Sequence, residues 1–299
     1  VRALELAKAS HMTSDHYLAS AVPLGFELDD ATEWVHNPIN LSANSMTAHY
    51  QLMMLPISNM QNLDRAMKGA NIFVEKMVVS CLATAEGSLL KDEKEYGVCL
   101  LDIGAGTTNI AVYIEGHLVL AHTIQRGGEN VTRDIASVLQ TTTEEAERLK
   151  LLYGCVDIHQ VKPDHMIEFE AIDGPQSISR IELSEIIIAR YEEILGMVRT
   201  ELESRGALQS LYHGVVLSGD VCQIEGMVTL SRRILGVSAH LGNPPLQVYA
   251  EDQHLPALRR SMYATATGLL LFSQSELQES VEEPEEVGTR PFLDRVMNG

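Results

Sequence analysis

The sequence LLDIGAGTTNIAVY, residues 100–113, holds the pattern around which the rest of the chain is organised. An apolar run leads to Asp102, and a turn containing Gly104 and Gly106 follows it. A second run of alternating apolar residues closes the stretch. This order predicts a β-strand, a tight turn and a second β-strand, paired as a hairpin.

The turn of this hairpin has the composition of a phosphate-binding loop. Gly104 and Gly106 let the backbone approach an anion closely, so that its N–H dipoles converge there. Thr107 and Thr108 add hydroxyl groups, and Asp102 can hold a hydrated Mg²⁺, which takes few protein oxygens. An ordinary hairpin with a glycine-rich turn is an equally good interpretation of this stretch alone, because such turns are common.

Length and composition limit the fold and the partners. A chain of 299 residues with 45% hydrophobic content and mean hydropathy near zero is long enough for two domains with sizeable cores. Its net charge of −19 argues against nucleic-acid binding, which needs clustered Lys and Arg. The four cysteines stand far apart, which predicts buried free thiols in a reducing cytoplasm. No apolar run is long enough for a membrane span and no signal-peptide pattern is present, so a cytoplasmic protein is expected.

Five further segments, taken with the hairpin, carry a family resemblance. They are VEKMVVSCLATAEGSLL (74–90), RGGENVTRDIA (126–136), EEAERLKLLYG (144–154), VVLSGDVCQIEGM (215–227) and YATATGLLLFS (263–273). In this order the segments resemble the superfamily of actin, sugar kinases and DnaK-type chaperones. Within it the chain most resembles FtsA, the bacterial actin-like family of cell-division proteins.

The resemblance implies an α/β, actin-like, ribonuclease-H-type two-lobed ATPase fold with an FtsA-type 1C insertion. The expected divisions are a partial subdomain 1C (1–57), the second half of 1A (58–96), 2A (97–145), 2B (146–205), 2A with a connecting helix (206–273), and an acidic linker with a truncated amphipathic tail (274–299). The family's first phosphate loop has no match before residue 80, so the N-terminal part of subdomain 1A is expected to be absent from this sequence.

The resemblance also implies a site for ATP and Mg²⁺. One side of it would consist of Asp102, which would also hold the metal, together with Gly104, Gly106, Thr107 and Thr108. Gly127 and Gly128 precede a predicted helix, whose start would offer free N–H groups to an anion. A tight strand-to-helix turn is the alternative interpretation of that glycine pair.

The other side of the expected ATP site has one residue pair that resembles the family's pair and one departure from the family's pattern. Glu147 and Lys150 correspond to a pair that contacts the ribose and the base edge in relatives, although such pairs are also ordinary helix decoration. Gly219 would lie against adenosine and the α-phosphate. Asp220 stands where the family's second glycine belongs, and its carboxylate would repel phosphate unless it turns away or binds a cation.

The chain departs from the family's pattern at the position of the catalytic residue. Many relatives place a catalytic glutamate at the start of the first connecting helix, where this chain has Ser80. A serine cannot orient and deprotonate water as a carboxylate can, and such assistance contributes on the order of 10²–10⁴ in rate. No catalytic residue is therefore assigned, and at most a weak ATPase with a binding or scaffold role is expected.

The expected role is that of a division adaptor at the cytoplasmic face of the inner membrane. Subdomain 2B would receive the C-terminal tail of FtsZ, with Arg180, Arg190 and Arg199 as candidate contacts or simply solvated positions. The chain would also assemble with itself into an actin-like filament and recruit later division proteins through 1C. RPFLDRVMNG, residues 290–299, resembles only the first turns of a membrane-binding amphipathic helix. The alternatives are a PilM-type pilus-assembly adaptor and a sugar or carboxylate kinase of the same fold.

Local patterns predict several individual elements. Extended strands are expected at HYLASAV, GFELDD and SMTAHYQLMML, with a turn at Pro23, and again at residues 72–79 and at VDIHQV. Small residues in two predicted connecting helices, including Gly87 and Gly268, would permit close helix packing. The acidic residues 274–289 are expected to form a flexible linker.

Overall fold

The computed structural model describes residues 4–7, 15–29, 34–35, 37–162, 164–242 and 261–282. The elements are, in chain order, β1 (His16–Leu28), β2 (Met46–Pro56), α1 (Ile57–Gly69), α2 (Ser80–Ser88), α3 (Lys91–Tyr96), β3 (Val98–Ile103), β4 (Thr108–Ile114), β5 (His117–Ile124), α4 (Gly128–Leu139), α5 (Thr143–Tyr153), β6 (Met166–Ala171), β7 (Gly174–Ser179), α6 (Arg180–Ser204), β8 (Val215–Ser218), α7 (Met227–Leu235), β9 (Ala239–Leu241) and α8 (Ala264–Glu282).

The predicted hairpin forms the middle of a five-stranded sheet with the order β5-β4-β3-β8-β9. β3 and β4 are antiparallel, with Asp102 opposite Asn109. β8 runs parallel to β3 and places Ser218 beside Asp102. Parallel strands need a long crossover connection, and the chain from α4 through α6 supplies it. The strand–turn–strand prediction is confirmed, and the register brings two distant turns to one edge of the sheet.

The side chains of β3 alternate between two buried layers. Cys99, Leu101 and Ile103 face the larger core, which contains residues of α4, α5, α6 and α7. Val98 and Leu100 face a smaller core that contains residues of α2. A strand that is covered on both faces is apolar along its whole length, which explains why VCLLDI shows no polar alternation before its final aspartate.

Helices α2 and α8 cross at very short distance. A Cβ atom built on Gly87 would lie 1.9 Å from the carbonyl oxygen of Ala264, and one on Gly268 would lie 1.7 Å from the carbonyl oxygen of Ala83. The two backbones therefore touch where each helix has a glycine. The prediction of close packing through small residues is confirmed.

Two antiparallel hairpins lie outside the central sheet, β1–β2 and β6–β7. Pro23 lies inside β1, so HYLASAV and GFELDD form one strand instead of the two that were predicted. The pairing shifts register between Pro23 and Gly25. A proline is tolerated at such an irregularity because its missing N–H is not needed for the ladder.

The prediction of a strand over residues 72–79 is wrong, because these residues form a loop. Ile72 and Phe73 are exposed, at 49% and 72%. A strand needs a neighbour for its backbone groups, and no described strand lies beside this segment. The β-propensity of residues 72–79 is therefore not enough to make them a strand.

Two further predictions are corrected at turns and helix ends. VDIHQV contains a short 3₁₀ turn, Ile158–Gln160, because the Asp157 carboxylate accepts hydrogen bonds from the His159 N–H and the Gln160 amide. The predicted linker is helical from residue 274 to Glu282 as the end of α8. This part lacks Gly and Pro and is rich in Glu and Gln, which favour helix. Residues 283–299, including the predicted amphipathic tail, lie outside the described residues.

None of the described helices combines the length and the apolar character that a membrane crossing requires.

Candidate nucleotide-binding site

The turn between β3 and β4 is closed by its own backbone and leaves its tip open. The Gly104 N–H donates to the carbonyl oxygen of Thr107 at 2.9 Å. Ala105 and Gly106 are exposed, and a Cβ on Gly106 would meet no atom within 4 Å. The buried Thr108 hydroxyl donates to the carbonyl oxygen of Arg126 at 2.9 Å, which ties the turn to the chain beyond β5.

The start of α4 packs directly on this turn. The Gly128 and Glu129 N–H groups donate to the carbonyl oxygens of Gly104 and Ala105, at 3.0 and 2.8 Å. The Gly127 N–H donates to the side-chain oxygen of Asn130 at 2.9 Å. The prediction of free N–H groups at this helix start is therefore wrong, because the chain's own oxygens take them. Asn130, three residues after Gly127, was a sequence signal for this capping arrangement.

Gly127 allows that contact because it has no side chain. A Cβ atom at Gly127 would lie 2.4 Å from the carbonyl oxygen of Gly104 and 2.6 Å from that of Ala105. Any larger residue would push the helix away from the turn. Of the two interpretations of the glycine pair, the tight strand-to-helix turn is what the structure shows.

Asp102 ends β3 beside the turn and is mostly buried. Burial raises the pKa of its carboxyl group, although hydrogen bonds from Asn109 and Thr84 oppose this. No Lys or Arg in the described part of the chain forms an ion pair with it. A buried carboxylate without a countercharge is a suitable ligand for a divalent cation, so the residues present fit Mg²⁺ at this position.

Gly219 lies directly against Asp102, although 117 positions separate the two residues in the numbering. A Cβ atom on Gly219 would lie 2.4 Å from the carbonyl oxygen of Ile103 and 2.9 Å from Oδ1 of Asp102. Its φ angle of +90° also favours glycine. The turn after β8 and the turn after β3 therefore meet, as the predicted site requires.

Glu147 and Lys150 form a network with Thr132 of α4. The Lys150 ammonium lies 2.7 Å from Oε2 of Glu147 and donates to the Thr132 hydroxyl at 2.8 Å and to the Gly128 carbonyl oxygen at 3.2 Å. The Thr132 hydroxyl donates to the same glutamate oxygen. Burial acts to raise the pKa of Glu147, but the hydrogen bonds from Lys150 and Thr132 outweigh it and lower the pKa.

Thr132 is a residue of this network that no sequence motif singled out. Its side chain is buried and joins α4 to α5. No local pattern separates a threonine that bridges two helices from one that simply packs in a core, so only the geometry identifies it.

The tip of the glycine turn, the start of α4, the Glu147–Lys150 pair and the residues after Gly219 line a cleft of about 450 Å³, whereas Asp102 and Gly219 themselves are not part of its lining. It is lined by Ala105, Gly128, Glu129, Glu147, Lys150, Leu151, Gly154, Tyr191, Asp220, Val221, Gln223, Ile224 and Glu225. Among the titratable side chains of that lining, four are carboxylates and one is an ammonium. Asp220 faces this space, so a polyanion would be repelled at this end and favoured at the open glycine turn.

Comparison with known proteins identifies the chain. The sequence model of the family described as "Cell division protein FtsA" matches residues 99–268. The chain belongs to the FtsA family. The FtsA protein of Pseudomonas aeruginosa is 30% identical over 273 residues, which cover 91% of this chain and 64% of that protein. The chain therefore spans a little under two thirds of the length of this curated relative.

Solved structures confirm the actin-like α/β fold that the FtsA resemblance implied. MreB5 of Spiroplasma citri bound to ADP superposes with a TM-score of 0.61 at 17% identity, covering 77% of this chain and 69% of that one. The PilM–PilN type IV pilus biogenesis complex gives a TM-score of 0.64 at 17% identity, covering 91% and 70%. At these identities the likeness concerns the fold of this FtsA-family chain and not its ligand or partner.

The three arginines proposed for tail binding are engaged within this FtsA-family chain. Arg180 pairs with Glu225 and donates to the Tyr153 carbonyl oxygen. Arg190 makes a two-pronged pair with Asp134. The remaining arginine, Arg199, pairs with Glu203 and donates to the Ile234 carbonyl oxygen.

Their arrangement does not form one patch. Arg180 and Arg190 are half-buried, contrary to the prediction that they are exposed, while Arg199 is exposed. Arg180 and Arg199 are separated by about 28 Å along α6. Each arginine donates a hydrogen bond to an acceptor on a neighbouring element. Sequence patterns do not reveal such pairings.

Ser80 opens α2, as predicted, and is linked to the site through Thr84. The Thr84 hydroxyl donates to the Ser80 carbonyl oxygen at 2.9 Å and lies 3.4 Å from Oδ2 of Asp102. It also lies 2.8 Å from the Thr265 hydroxyl of α8. Helix α2 therefore reaches the carboxylate at the end of β3 directly, and α8 is linked to it through Thr84.

Proposed function

We propose that this FtsA-family chain forms the nucleotide-binding part of a cell-division adaptor. The observation that carries the proposal is that the turns bearing Asp102 and Gly219 meet, and that the start of α4, packed on the first of these turns, lines a cleft together with Glu147 and Lys150. The nucleotide is ATP, with its phosphates at the turn of residues Gly104–Thr107 and Mg²⁺ at Asp102. Mg²⁺ neutralises part of the phosphate charge. This reduces the repulsion between ATP and a chain with a net charge of −19.

The fold neighbour described as MreB5 bound to ADP supports a nucleotide in this fold. Thr108, Gly127 and Gly128 act by shaping the phosphate turn, because their polar groups are bonded inside the chain. Glu147 and Lys150 face the nucleoside. Hydrolysis is slow or absent, since Ser80 takes the place of the family's glutamate.

Thermal unfolding of the purified full-length protein with and without Mg-ATP tests the nucleotide part. A ligand at 100 times its Kd stabilises a folded protein by about 2.7 kcal/mol, so a clear rise in Tm is expected. Mg²⁺ alone and ATP with EDTA serve as controls and should each give a smaller rise. An unchanged Tm at millimolar Mg-ATP would remove ATP from the proposal.

The adaptor part concerns partners. The proposed partners are the FtsZ tail, a second copy of the chain in a filament, later division proteins and the inner membrane at the division site. A PilM-type pilus adaptor is the second candidate, because the PilM–PilN complex superposes on 91% of this chain. A sugar or carboxylate kinase would show phosphotransfer to a small substrate.

Binding of labelled peptides separates the two adaptor roles. An FtsZ C-terminal tail peptide and peptides that cover the PilN sequence are titrated into the same full-length protein, with a scrambled peptide of each as control. Saturable binding of the FtsZ tail alone is expected. Binding of the PilN peptide alone would replace the division role by the pilus role.

A further inference from the structure

Tyr191 of α6 occupies an unusual place in the cleft. Its side chain is only 1% exposed, yet it lines the cleft together with Glu147 and Lys150. Ile187 and Ile194, one turn away on either side, are fully buried in the larger core. The ring is therefore held firmly by α6, and its polar end is the part that can reach the cleft.

The hydroxyl group of Tyr191 makes no hydrogen bond to any residue in the described ranges. Buried tyrosine hydroxyls normally have a partner, because leaving one unpaired in a low-dielectric environment is unfavourable. The cleft is the direction from which a partner can come. An unpaired donor that faces a cavity is a group prepared for a ligand.

The phenol keeps its proton. Burial raises its pKa above the ordinary value, and the negative charges of Glu147 and Asp220 act in the same direction. The hydroxyl is therefore available as a donor and remains uncharged. It can hydrogen-bond a neutral polar group without adding charge to an acidic cleft.

The opposite wall offers an acceptor. The three protons of the Lys150 ammonium are directed to Glu147, Thr132 and the Gly128 carbonyl oxygen, so none is left for a ligand. Oε2 of Glu147 receives both Lys150 and Thr132. Oε1 of Glu147 has no hydrogen-bond partner among the described residues, which leaves one acceptor and one donor free in this part of the cleft.

We propose that Tyr191 binds the nucleoside half of the nucleotide, through a hydrogen bond from its hydroxyl. This inference rests on the proposed ATP site and adds a residue to it. A sugar with its base has neutral donors and acceptors that match the Tyr191 hydroxyl and Oε1 of Glu147. A phosphate does not match, because the carboxylates of Glu147 and Asp220 face the same space.

The test compares Tyr191→Phe with Tyr113→Phe in the full-length protein. Tyr113 is also a buried tyrosine, 7% exposed, but belongs to the core on the other face of the sheet. Calorimetric titrations use three probes: Mg-ATP, adenosine and tripolyphosphate. One lost hydrogen bond corresponds to a loss of affinity of about fivefold to tenfold.

Tyr191→Phe should weaken Mg-ATP and adenosine by the same factor and leave tripolyphosphate unchanged, while Tyr113→Phe changes none of the three. Wild-type affinity of Tyr191→Phe for Mg-ATP and adenosine would overturn the assignment, and so would an equal loss for tripolyphosphate. Tm without ligand shows that the variant is folded. Failure of the wild-type protein to bind Mg-ATP would instead overturn the proposed function, and this assignment with it.

Discussion

The ionised carboxylate of Asp102 opposes folding, because folding buries it. Its carboxyl group is buried at the end of β3, next to Gly219 and the Thr84 hydroxyl, and burial raises its pKa. A raised pKa of an acid means that the folded protein binds protons more tightly than the unfolded chain does. The stability contributed by this group therefore falls as pH rises through the interval between the two pKa values.

Asp102→Asn should consequently stabilise the protein at pH 7 in the absence of Mg²⁺, and the gain should disappear as the pH falls below about 4. The same variant should lose most of the Tm increase caused by Mg-ATP. Urea unfolding across pH, with and without ligand, measures both effects. Asp173→Asn, at an exposed turn, is the control and should change neither. A metal-free Asn variant that is less stable at pH 7 would contradict this account of Asp102.

Thr132 is the second residue whose importance lies in its partners. Its hydroxyl connects Lys150 and Glu147 across two helices, and the Lys150 side chain is only 10% exposed. Loss of the hydroxyl leaves a buried ammonium with one partner fewer. That loss is of the kind that costs about 1–3 kcal/mol.

Thr132→Val should therefore lower the free energy of unfolding by about 1–3 kcal/mol while keeping the side-chain shape. Thr200→Val is the matched control, because that exposed hydroxyl donates only to Gly196 on its own helix. The control should stay within about 0.5 kcal/mol of the wild type. Denaturant unfolding measures both variants, and equal costs would refute a bridging role for Thr132.

At the scale of secondary-structure elements, the crossing of α2 and α8 depends on two glycines. A Cβ on either Gly87 or Gly268 would collide with a backbone carbonyl oxygen of the opposite helix. A backbone atom cannot swing aside as a flexible side chain can, so the helices would have to separate. Thr84 and Thr265 link this crossing to Asp102, and separation would therefore be felt at the site.

Gly268→Ala should lower the free energy of unfolding by about 1–3 kcal/mol, the usual range for overpacking. Gly196→Ala is the contrasting control in the interior of α6, where a Cβ would meet nothing within 4 Å. There the better helix propensity of alanine should raise stability by up to about 1 kcal/mol. Thermal and denaturant unfolding measure the stability of both variants. A Gly268→Ala variant more stable than the wild type would show that the two helices are not in close contact at this crossing.

At the scale of the whole molecule, burial is uneven. The central strands β3 and β8 are almost fully buried between two cores. In the β1–β2 hairpin, Gly25 is the one buried residue of the two strands as described. The hairpin contacts the central sheet mainly at β5. Few buried apolar contacts correspond to low local stability.

Native-state hydrogen exchange should follow this division. Amides of β3 and β8 should exchange most slowly, near the rate set by global unfolding, while amides of β1 and β2 should exchange faster by a factor of at least about 10. Mass spectrometry of peptic fragments measures both regions in one experiment. Equal protection of the hairpin and β3 would mean that the hairpin belongs to the same cooperative unit.

Local patterns were sufficient wherever a structure depends on neighbours in the sequence. The alternation around Asp102, the glycines of its turn and the small residues of α2 and α8 each specify geometry within a few residues. The hairpin and the close packing of the two helices could therefore be predicted from local patterns, while the actin-like fold was implied by the resemblance of several separated segments to the FtsA family. The sequence by itself thus determined the family and the approximate position of the cleft.

The tertiary structure decided which polar groups are still free. A hydrogen bond between distant segments produces no periodic pattern in the sequence, so it cannot be predicted from one. It showed that the N–H groups at the start of α4 are occupied, that Arg190 pairs with Asp134, and that residues 72–79 have no strand beside them. It also brought Tyr191 to the cleft and Thr132 against the Glu147–Lys150 pair. Those outcomes depend on which surfaces meet when the sheet and helices pack, and packing is a property of the folded chain as a whole.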